Sequence, residues 1–501
     1  MSIKRLINTV LLFLSFLCFH NSVVGQKVGK PIKGVEKTNL NITPIGFIDD
    51  YEFYSYGFLN ARQKLYYRVY SYKDGRKKGK QKMTVDLNNK TYTPYHFFIY
   101  QKRFFAAFIA ENQNRLETGL YFQEYNTNLE EIGKPQFIVK IPNAQDELSL
   151  QRNYSHFKGD AFLNQNLSIQ VNEATKDVLV LHTNTVEQGK EKKAYANIIR
   201  IDKNLAVISH HKYTASSPST AIKLEVIGSY YNRDLLAYVS TGTYENDKKT
   251  NSFFIQANSI LFIPGNGNEL EEITIHEQTG YIKSVVASET SNNKGNYAFA
   301  FHTTNDHAEL GTITFFRFNP AKSELSETYL SLAPQPFNFM DRTLLGDFRI
   351  KNLFLLDEGN FIADLYGGKQ GNLLLRINGN AEILWHKKVR PKVSGSKYVI
   401  GAYTTMVGTN LQMIFNCHPQ LLASKSEESN RPYRVGFQSI PVVATIELEE
   451  GETKYEMLKM EDLERVYPIC FTISIEKSPG TYLLRAINGR KMKTFPVTFD
   501  R

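Results

Sequence analysis

The sequence predicts an all-β protein, namely a β-propeller of seven or eight blades that is closed by strands from the N- and C-termini. Three observations favour this fold: short apolar strands recur along the chain, more polar strands follow them, and long helical patterns are missing. The 501 residues include 33 Phe and 29 Tyr but one Trp, and aromatic residues favour strands. With 42% hydrophobic and 22% charged residues, the chain has the composition of a folded globular protein.

The first 25 residues predict a secretory signal peptide. Lys4 and Arg5 supply the positive charge, residues 6–19 are apolar, and Gly25 offers a small residue for cleavage. The apolar stretch is shorter than the roughly 20 residues that span a bilayer, so cleavage is favoured over an uncleaved anchor. We expect export to the periplasm, the outer-membrane surface or the extracellular space, with no later transmembrane segment.

Eight turn-plus-strand cores recur after the signal peptide, with starts about 40 to 75 residues apart. They lie at residues 64–70, 103–109, 177–182, 234–239, 296–301, 360–365, 410–415 and 481–486. Companion segments such as FFRFNPAKSELSETYL, which begins at Phe315, read as an apolar strand, a turn and a more polar outer strand. Radial repetition of four-stranded sheets produces this gradient of polarity, which is why a propeller is predicted.

The predicted domain organisation has three parts: the signal peptide, a flexible lead-in at residues 26–38 and the propeller at residues 39–501. The last repeat, from Ile469 onward, contains three strands, and a segment at residues 39–45 is expected to supply the fourth and close the ring. A shorter propeller flanked by small β-sandwich domains is the alternative.

No P-loop, G-x-G-x-x-G, H-E-x-x-H or G-x-S-x-G motif is present. The main hypothesis is therefore an exported binding or scaffold protein of the cell envelope without catalytic activity or cofactor. The alternative is a carbohydrate-active or other hydrolase with carboxylates around the propeller channel, for which Asp177, Asp234 and Asp364 are candidates. An aspartate that opens a strand is, however, commonly a turn residue.

Histidines and cysteines give no metal signature. Six histidines lie near predicted strand ends, namely His182, His210, His211, His302, His386 and His418. Because adjacent strand residues face opposite ways, His210 and His211 are not expected to chelate one ion, and no metal is predicted. Cys417 and Cys470 could pair in an oxidising compartment or remain buried thiols, and lipid attachment at Cys18 is disfavoured by the bulky residues before it.

The densest basic run of the sequence follows a Tyr-rich segment. Its members are Lys73, Arg76, Lys77, Lys78, Lys80 and Lys82. Basic charge beside aromatic rings can bind an extended polyanion, and for an exported protein acidic polysaccharide or lipid headgroups are favoured over nucleic acid. The expected partner of the whole protein is an envelope protein or a polysaccharide. A solvated hairpin tip, with Asp74 and Gly75 as its turn, is the structural alternative.

Two resemblances add to this interpretation. The C-terminal stretch GTYLLRAINGRKMKTFPVTFDR resembles the sorting domains of the type IX outer-membrane route through its G-x-Y-x-x-R pattern, although a last propeller hairpin explains the same letters. Residues 360–415 and the last repeat resemble secreted propeller-type proteins of Gram-negative bacteria. The second resemblance implies an exported propeller and supplies no functional residues.

Overall fold

The protein is described from a computed structural model. The structure describes residues 26–28, 43–59, 65–73, 76–94, 96–111, 118–141, 167–172, 175–188, 191–215, 221–230, 232–247, 250–267, 269–275, 281–288, 297–304, 311–331, 348–356, 360–380, 382–390, 393–395, 400–418, 433–435, 439–458, 468–469, 471, 474–478, 481–488 and 491–499. The predicted signal peptide and Cys18 lie outside these ranges.

The described residues form an all-β structure that contains eight four-stranded antiparallel sheets. The contacts divide the chain into two compact units. The larger unit covers residues 34–395 and 426–434, and the smaller unit covers residues 1–33, 396–425 and 435–501. Six of the sheets belong to the larger unit and two to the smaller one.

The six sheets of the larger unit follow one another along the chain, and each is a simple up-and-down meander. The first sheet contains β2 (Thr43–Ile48), β3 (Tyr51–Leu59), β4 (Leu65–Lys73) and β5 (Arg76–Met83), and the second contains β8 (His96–Tyr100), β9 (Arg103–Glu111), β10 (Thr118–Tyr125) and β11 (Glu131–Lys140). The third contains β12 (Leu167–Asn172), β13 (Asp177–Gln188), β14 (Glu191–Ile201) and β15 (Val207–Thr214), and the fourth contains β16 (Ala221–Ser229), β17 (Leu235–Asp247), β18 (Thr250–Ile263) and β19 (Glu271–Thr274). The fifth contains β20 (Tyr281–Ala287), β21 (Tyr297–Thr304), β22 (Gly311–Asn319) and β23 (Glu324–Ser331), and the sixth contains β24 (Arg349–Leu355), β25 (Phe361–Tyr366), β26 (Asn372–Ile377) and β27 (Ile383–Arg390). A small hairpin of β6 (Val85–Leu87) and β7 (Lys90–Tyr92) lies between the first two sheets in sequence, and β28 (Val393–Gly395) ends the main segment of the unit.

The smaller unit holds two sheets, and its last sheet uses strands from both ends of the chain. Its strands are β29 (Ala402–Val407), β30 (Asn410–Cys417), β32 (Ile440–Glu447) and β33 (Thr453–Met457) in one sheet, and β34 (Ile475–Ser478), β35 (Thr481–Asn488), β36 (Lys491–Phe499) and β1 (Gln26–Val28) in the other. The three-residue strand β31 (Tyr433–Val435) spans the boundary between the units.

The sheets confirm the predicted repetition but correct its assignment. Seven of the eight recurring cores lie on the second strand of a sheet, while residues 64–70 lie mainly on β4, the third strand of the first sheet. A second strand is flanked by two neighbours and covered on both faces, so it carries the longest apolar run. In β9, for example, only the two end residues, Arg103 and Glu111, escape full burial.

The polarity gradient of the companion segments is confirmed by burial. Fourth strands whose side chains are described all carry exposed residues, and seven of the ten residues of β11 are exposed. Exposed Lys and Glu on such an edge discourage pairing with other chains. The core lies between successive sheets: Phe53 of β3 stacks on Phe104 of β9, with the ring centroids 4.9 Å apart.

The N-terminal contribution to the last sheet comes from a different segment than the sequence suggested. Residues 43–48 form β2 in the first sheet, and β36 instead pairs antiparallel with β1, from Gln26↔Phe499 to Val28↔Val497. Strand β1 therefore falls within the segment predicted to be a flexible lead-in. No helix within the described part of the chain has the length and apolar character needed to cross a bilayer.

Candidate functional site

The basic run predicted from the sequence forms the exposed edge of the first sheet. Lys73 ends β4, and the other five residues belong to β5, which is the fourth strand of its sheet. All five basic residues of β5 are exposed, whereas Gly79 and Met83 are buried. The proposed turn residues Asp74 and Gly75 lie outside the described residues.

Strand pairing sets these cations against tyrosines on one face of the sheet. This surface is called the basic face and comprises Arg68, Tyr70 and Tyr72 of β4 with Lys77, Lys80 and Lys82 of β5. In the register of the two strands, Tyr72 pairs with Lys77, Tyr70 with Lys80 and Arg68 with Lys82. A bulge between Ser71 and Tyr72 places Lys78 as an additional residue, so that Lys77 and Lys78 are both exposed.

The tyrosines hold some of these cations in place. Lys82 lies 3.6 Å from the centroid of the Tyr66 ring, and Lys73 lies 5.1 Å from that of Tyr51. Tyr70 and Tyr72 are stacked, with their centroids 6.4 Å apart. Burial raises the pKa of Tyr72, and the nearby Tyr70 adds to the effect.

The positive charge of the run has little compensation. None of the six basic side chains forms an ion pair with a carboxylate of the described residues. The nearest acidic side chain on the adjoining strand β3 is that of Glu52, which pairs with Tyr72, is 3% exposed and accepts a hydrogen bond from the Tyr54 hydroxyl. The arrangement can therefore attract an anion along β5.

The three candidate aspartates have structural roles. Asp364 is fully buried, and its two carboxylate oxygens accept hydrogen bonds from Asn352 Nδ2 at 3.0 Å and Asn372 Nδ2 at 2.9 Å. Asp234 accepts from the backbone N–H of Gly265 at 2.7 Å and from the Tyr297 hydroxyl.

Asp177, the third candidate aspartate, is the first residue of β13. It is 2% exposed and lies 3.7 Å from the Arg233 guanidinium. Asp177 and Asp234 thus lie at strand starts, whereas Asp364 links asparagines of the two strands that flank β25.

Three of the candidate histidines, His182, His210 and His211, lie in one sheet. Asn197 links two of them, because its amide lies 3.3 Å from His182 Nδ1 and 2.9 Å from His210 Nε2. His211, the next residue along β15, lies near Arg200, and burial followed by that charge lowers its pKa. Within the described ranges, no group of three or more His, Cys, Asp or Glu side chains could hold a metal ion.

Cys417 is a buried free thiol in the smaller unit. Burial raises its pKa to about 12, so it stays protonated and unreactive at neutral pH. Cys470 lies outside the described residues.

A second candidate site, which sequence reasoning missed, is a pocket of about 300 Å³ in the larger unit. It is called the first-strand pocket because residues 225–229 of β16, 285–288 at the end of β20 and 351–353 of β24 line it. The polar residues among those that line it are Glu225, Ser229, Ser288, Lys351 and Asn352.

Hydrogen bonds between the first strands fix the walls of this pocket. Ser284 Oγ accepts the backbone N–H of Ile350 at 2.9 Å, and Ser288 Oγ accepts that of Leu355 at 3.2 Å. The Tyr230 hydroxyl donates to the carbonyl oxygen of Ser288 at 3.2 Å. Three successive sheets are thereby tied together beside the pocket.

Close approach of β16 and β20 also depends on a glycine. A Cβ at Gly228 would lie 2.7 Å from the Tyr230 hydroxyl oxygen and 3.0 Å from the Ala287 Cβ. Any larger residue would therefore push the two walls apart.

The sequence does contain a weak signal for this pocket. Lys351 and Asn352 are consecutive polar residues in β24, which breaks the alternation that a regular strand requires. The structure shows the reason: the register of β24 on β25 shifts between Ile350 and Asn352, so Lys351 is the additional residue of a β-bulge.

The fold and these two sites define an all-β protein of repeated four-stranded sheets with a basic, tyrosine-rich edge.

No family model and no curated protein matches the chain. Among solved structures, the polysaccharide lyase Uly1 aligns over 81% of this chain and 90% of its own, with 10% identity and a TM-score of 0.39. The β-propeller domain of the Trilobed protease from Pyrococcus furiosus aligns over 86% and 98%, with 10% identity and a TM-score of 0.30. Synechocystis apocarotenoid oxygenase aligns over 87% and 89%, with 10% identity and a TM-score of 0.33. The resemblance to β-propeller proteins is diffuse, and it assigns neither a family nor an activity.

Proposed function

We propose that this is an exported binding or scaffold protein of the cell envelope, and that its basic face binds an anionic polysaccharide. The observation that carries the proposal is the row of exposed cations on β5, none of which pairs with a described carboxylate. Successive cations along an edge strand match the repeating charges of an extended polymer, and the adjacent tyrosine rings offer surfaces for sugar rings.

The proposal includes the propeller arrangement of the eight sheets and the export of the protein. Cleavage after Gly25 would leave β1, which begins at Gln26, available for the last sheet. In an exported location, acidic polysaccharides and envelope proteins are the accessible polyanions, and nucleic acid is not expected.

The hydrolase alternative has less support. Glycoside cleavage generally uses two carboxyl groups on either side of the scissile bond. In the first strands of the six sheets of the larger unit, however, Glu225 is the only acidic residue. The aspartates considered from the sequence are each engaged in structural contacts instead.

Chromatography on immobilised dextran sulfate and polygalacturonate tests the proposed function. Replacing Lys77, Lys78, Lys80 and Lys82 with Gln should weaken retention and shift elution to lower salt, because a surface with fewer cations displaces fewer of the counterions condensed on the polyanion. Thermal stability should change little, since exposed lysines contribute little to folding.

A matched control removes the same charge elsewhere. It replaces four exposed lysines on other sheets, Lys134, Lys203, Lys322 and Lys454, with Gln. If both variants lose retention equally, net charge alone explains the binding and the assignment to the basic face is wrong. Salt-insensitive retention of the wild-type protein would also contradict the proposal.

A further inference from the structure

The exposed cations of the first sheet are spread along one strand rather than gathered at one point. Arg76 and Lys82 lie six positions apart on β5, and a strand rises about 3.3 Å per residue, so the run is on the order of 20 Å long. An inorganic anion would meet one or two of these cations at a time. Only an extended molecule with repeated negative charges can engage the whole run.

One flank of β5 is closed by the second sheet. Gly79 is buried between exposed lysines, and a Cβ in its place would lie 3.0 Å from the backbone oxygen of Asn128, in the turn between β10 and β11. Because successive residues of a strand face opposite ways, Lys80 and Lys82 lie on the other side, which is the basic face. A polymer therefore approaches β5 from the basic face.

The chemistry of the cations favours carboxylates. Four of the five exposed basic residues of β5 are lysines, and Arg76 is the exception. A lysine ammonium is a compact, strongly hydrated charge, whereas an arginine guanidinium is broad and weakly hydrated. Oppositely charged ions form direct pairs most readily when their hydration is similar, and a carboxylate is more strongly hydrated than a sulfate ester. The lysine run is therefore matched to a polymer of carboxylates.

Tyrosine rings beside the lysines suit a polymer of sugars. In the register of the two strands, Tyr72 pairs with Lys77 and Tyr70 with Lys80. Both rings are partly exposed, and their centroids lie 6.4 Å apart. An aromatic ring offers an apolar surface that the C–H face of a sugar ring can cover. A polyuronate carries one carboxylate and one ring per sugar, so its repeat supplies both groups along β5.

We propose that the ligand of the basic face is a linear polyuronate that lies along β5. Its carboxylates point toward Lys77, Lys80 and Lys82, and its sugar rings lie against the tyrosines beside them. This inference rests on the proposed function and deepens it, because it names the charged group of the polymer and the strand that the polymer follows. A sulfated polysaccharide of the same charge density binds more weakly.

Two polymers with one backbone test the charged group. Carboxymethyl dextran and dextran sulfate of equal substitution differ only in the anion, and titration calorimetry of the full chain should show about threefold tighter binding of the carboxymethyl polymer. Replacing Lys77, Lys78, Lys80 and Lys82 with Arg keeps the charge and should remove or reverse this preference. Equal or tighter binding of dextran sulfate by the wild-type protein, or an unchanged preference in the Arg variant, would overturn the inference and leave the proposed function intact. Absence of binding to either polymer would contradict both.

Oligogalacturonates test the direction of the polymer. Hexagalacturonate should bind at least about tenfold more tightly than digalacturonate, because only the longer chain reaches cations at both ends of the run. Lys77→Gln and Lys82→Gln should each weaken binding of the hexamer about threefold, and the control Lys134→Gln, at an exposed position of β11, should leave it unchanged. Equal affinities of the two oligomers, or an effect confined to one end of the run, would overturn the placement along β5.

Discussion

The ammonium of Lys82 lies 3.6 Å from the centroid of the Tyr66 ring, on the most exposed strand of the first sheet. A cation over an aromatic face at an exposed position contributes about 0.5–1 kcal/mol. The contact also limits the rotamers of a long side chain. One cation of the basic face is thus already oriented by the protein itself.

A double-mutant cycle measures this contact. Tyr66→Leu and Lys82→Gln, alone and together, should give a coupling of about 0.5–1 kcal/mol in urea unfolding, because either change removes the cation–π contact. Tyr66→Leu should also weaken retention on dextran sulfate, by less than Lys82→Gln does. A coupling energy near zero would show that the contact does not stabilise the folded protein.

Substitution of Asp364 tests whether its carboxylate has a structural role or a catalytic one. Asp364→Ala should lower the free energy of unfolding by about 2–4 kcal/mol, because the buried amides of Asn352 and Asn372 lose their acceptor. Glu324→Ala is the control, since Glu324 is exposed at the start of the edge strand β23 and its loss should change the free energy of unfolding little. Equal effects on chemical denaturation would argue against the structural role.

The free energy of unfolding at acidic pH should depend on His96. Burial lowers its pKa from 6.5 to about 4, while a hydrogen bond with the backbone of Ile169 partly offsets the shift. Between pH 6.5 and 4 the unfolded chain therefore binds a proton that the folded protein does not, and stability falls as the pH decreases, by about 3 kcal/mol. Urea unfolding of His96→Gln should show a shallower decrease over this range. An unchanged slope would contradict the prediction.

The last sheet should be essential to the stability of the protein. Ending the chain after Pro479 removes β35 and β36, including the buried residues Tyr482 and Phe495, and leaves β1 and β34 without their pairing strands. We expect a loss of at least about 5 kcal/mol and a much lower melting temperature. A control chain that ends after Phe499 keeps every described strand and should melt like the wild type. Cooperative melting of both truncations at one temperature would rule out this role.

Export can be tested independently of the fold. Val10→Arg places a charge within the apolar stretch at residues 6–19, which costs about 3 kcal/mol on insertion scales, so the precursor should accumulate in the cytoplasm. Val10→Leu should be exported normally, with a mature chain that begins at Gln26. Normal processing of Val10→Arg would show that the segment is not a signal peptide.

The sequence by itself determined the repeating architecture. Period-two patterns and turn residues are local, so the apolar cores and polar fourth strands could be read directly from the chain. The exposure of the basic run also followed from composition, because lysines rarely become buried without a partner. The signal peptide and the binding role of the basic face stay predictions.

Only the tertiary structure decided which residues meet. The choice between residues 39–45 and Gln26–Val28 as the partner of β36 depends on which short strand reaches the C-terminal edge, and both segments could form strands. The pocket that holds Glu225 and Lys351 joins residues more than a hundred positions apart, and a one-residue bulge decides the face toward which Lys351 points. Long-range pairing and register depend on the packing of whole sheets, for which a single sequence has no local signal.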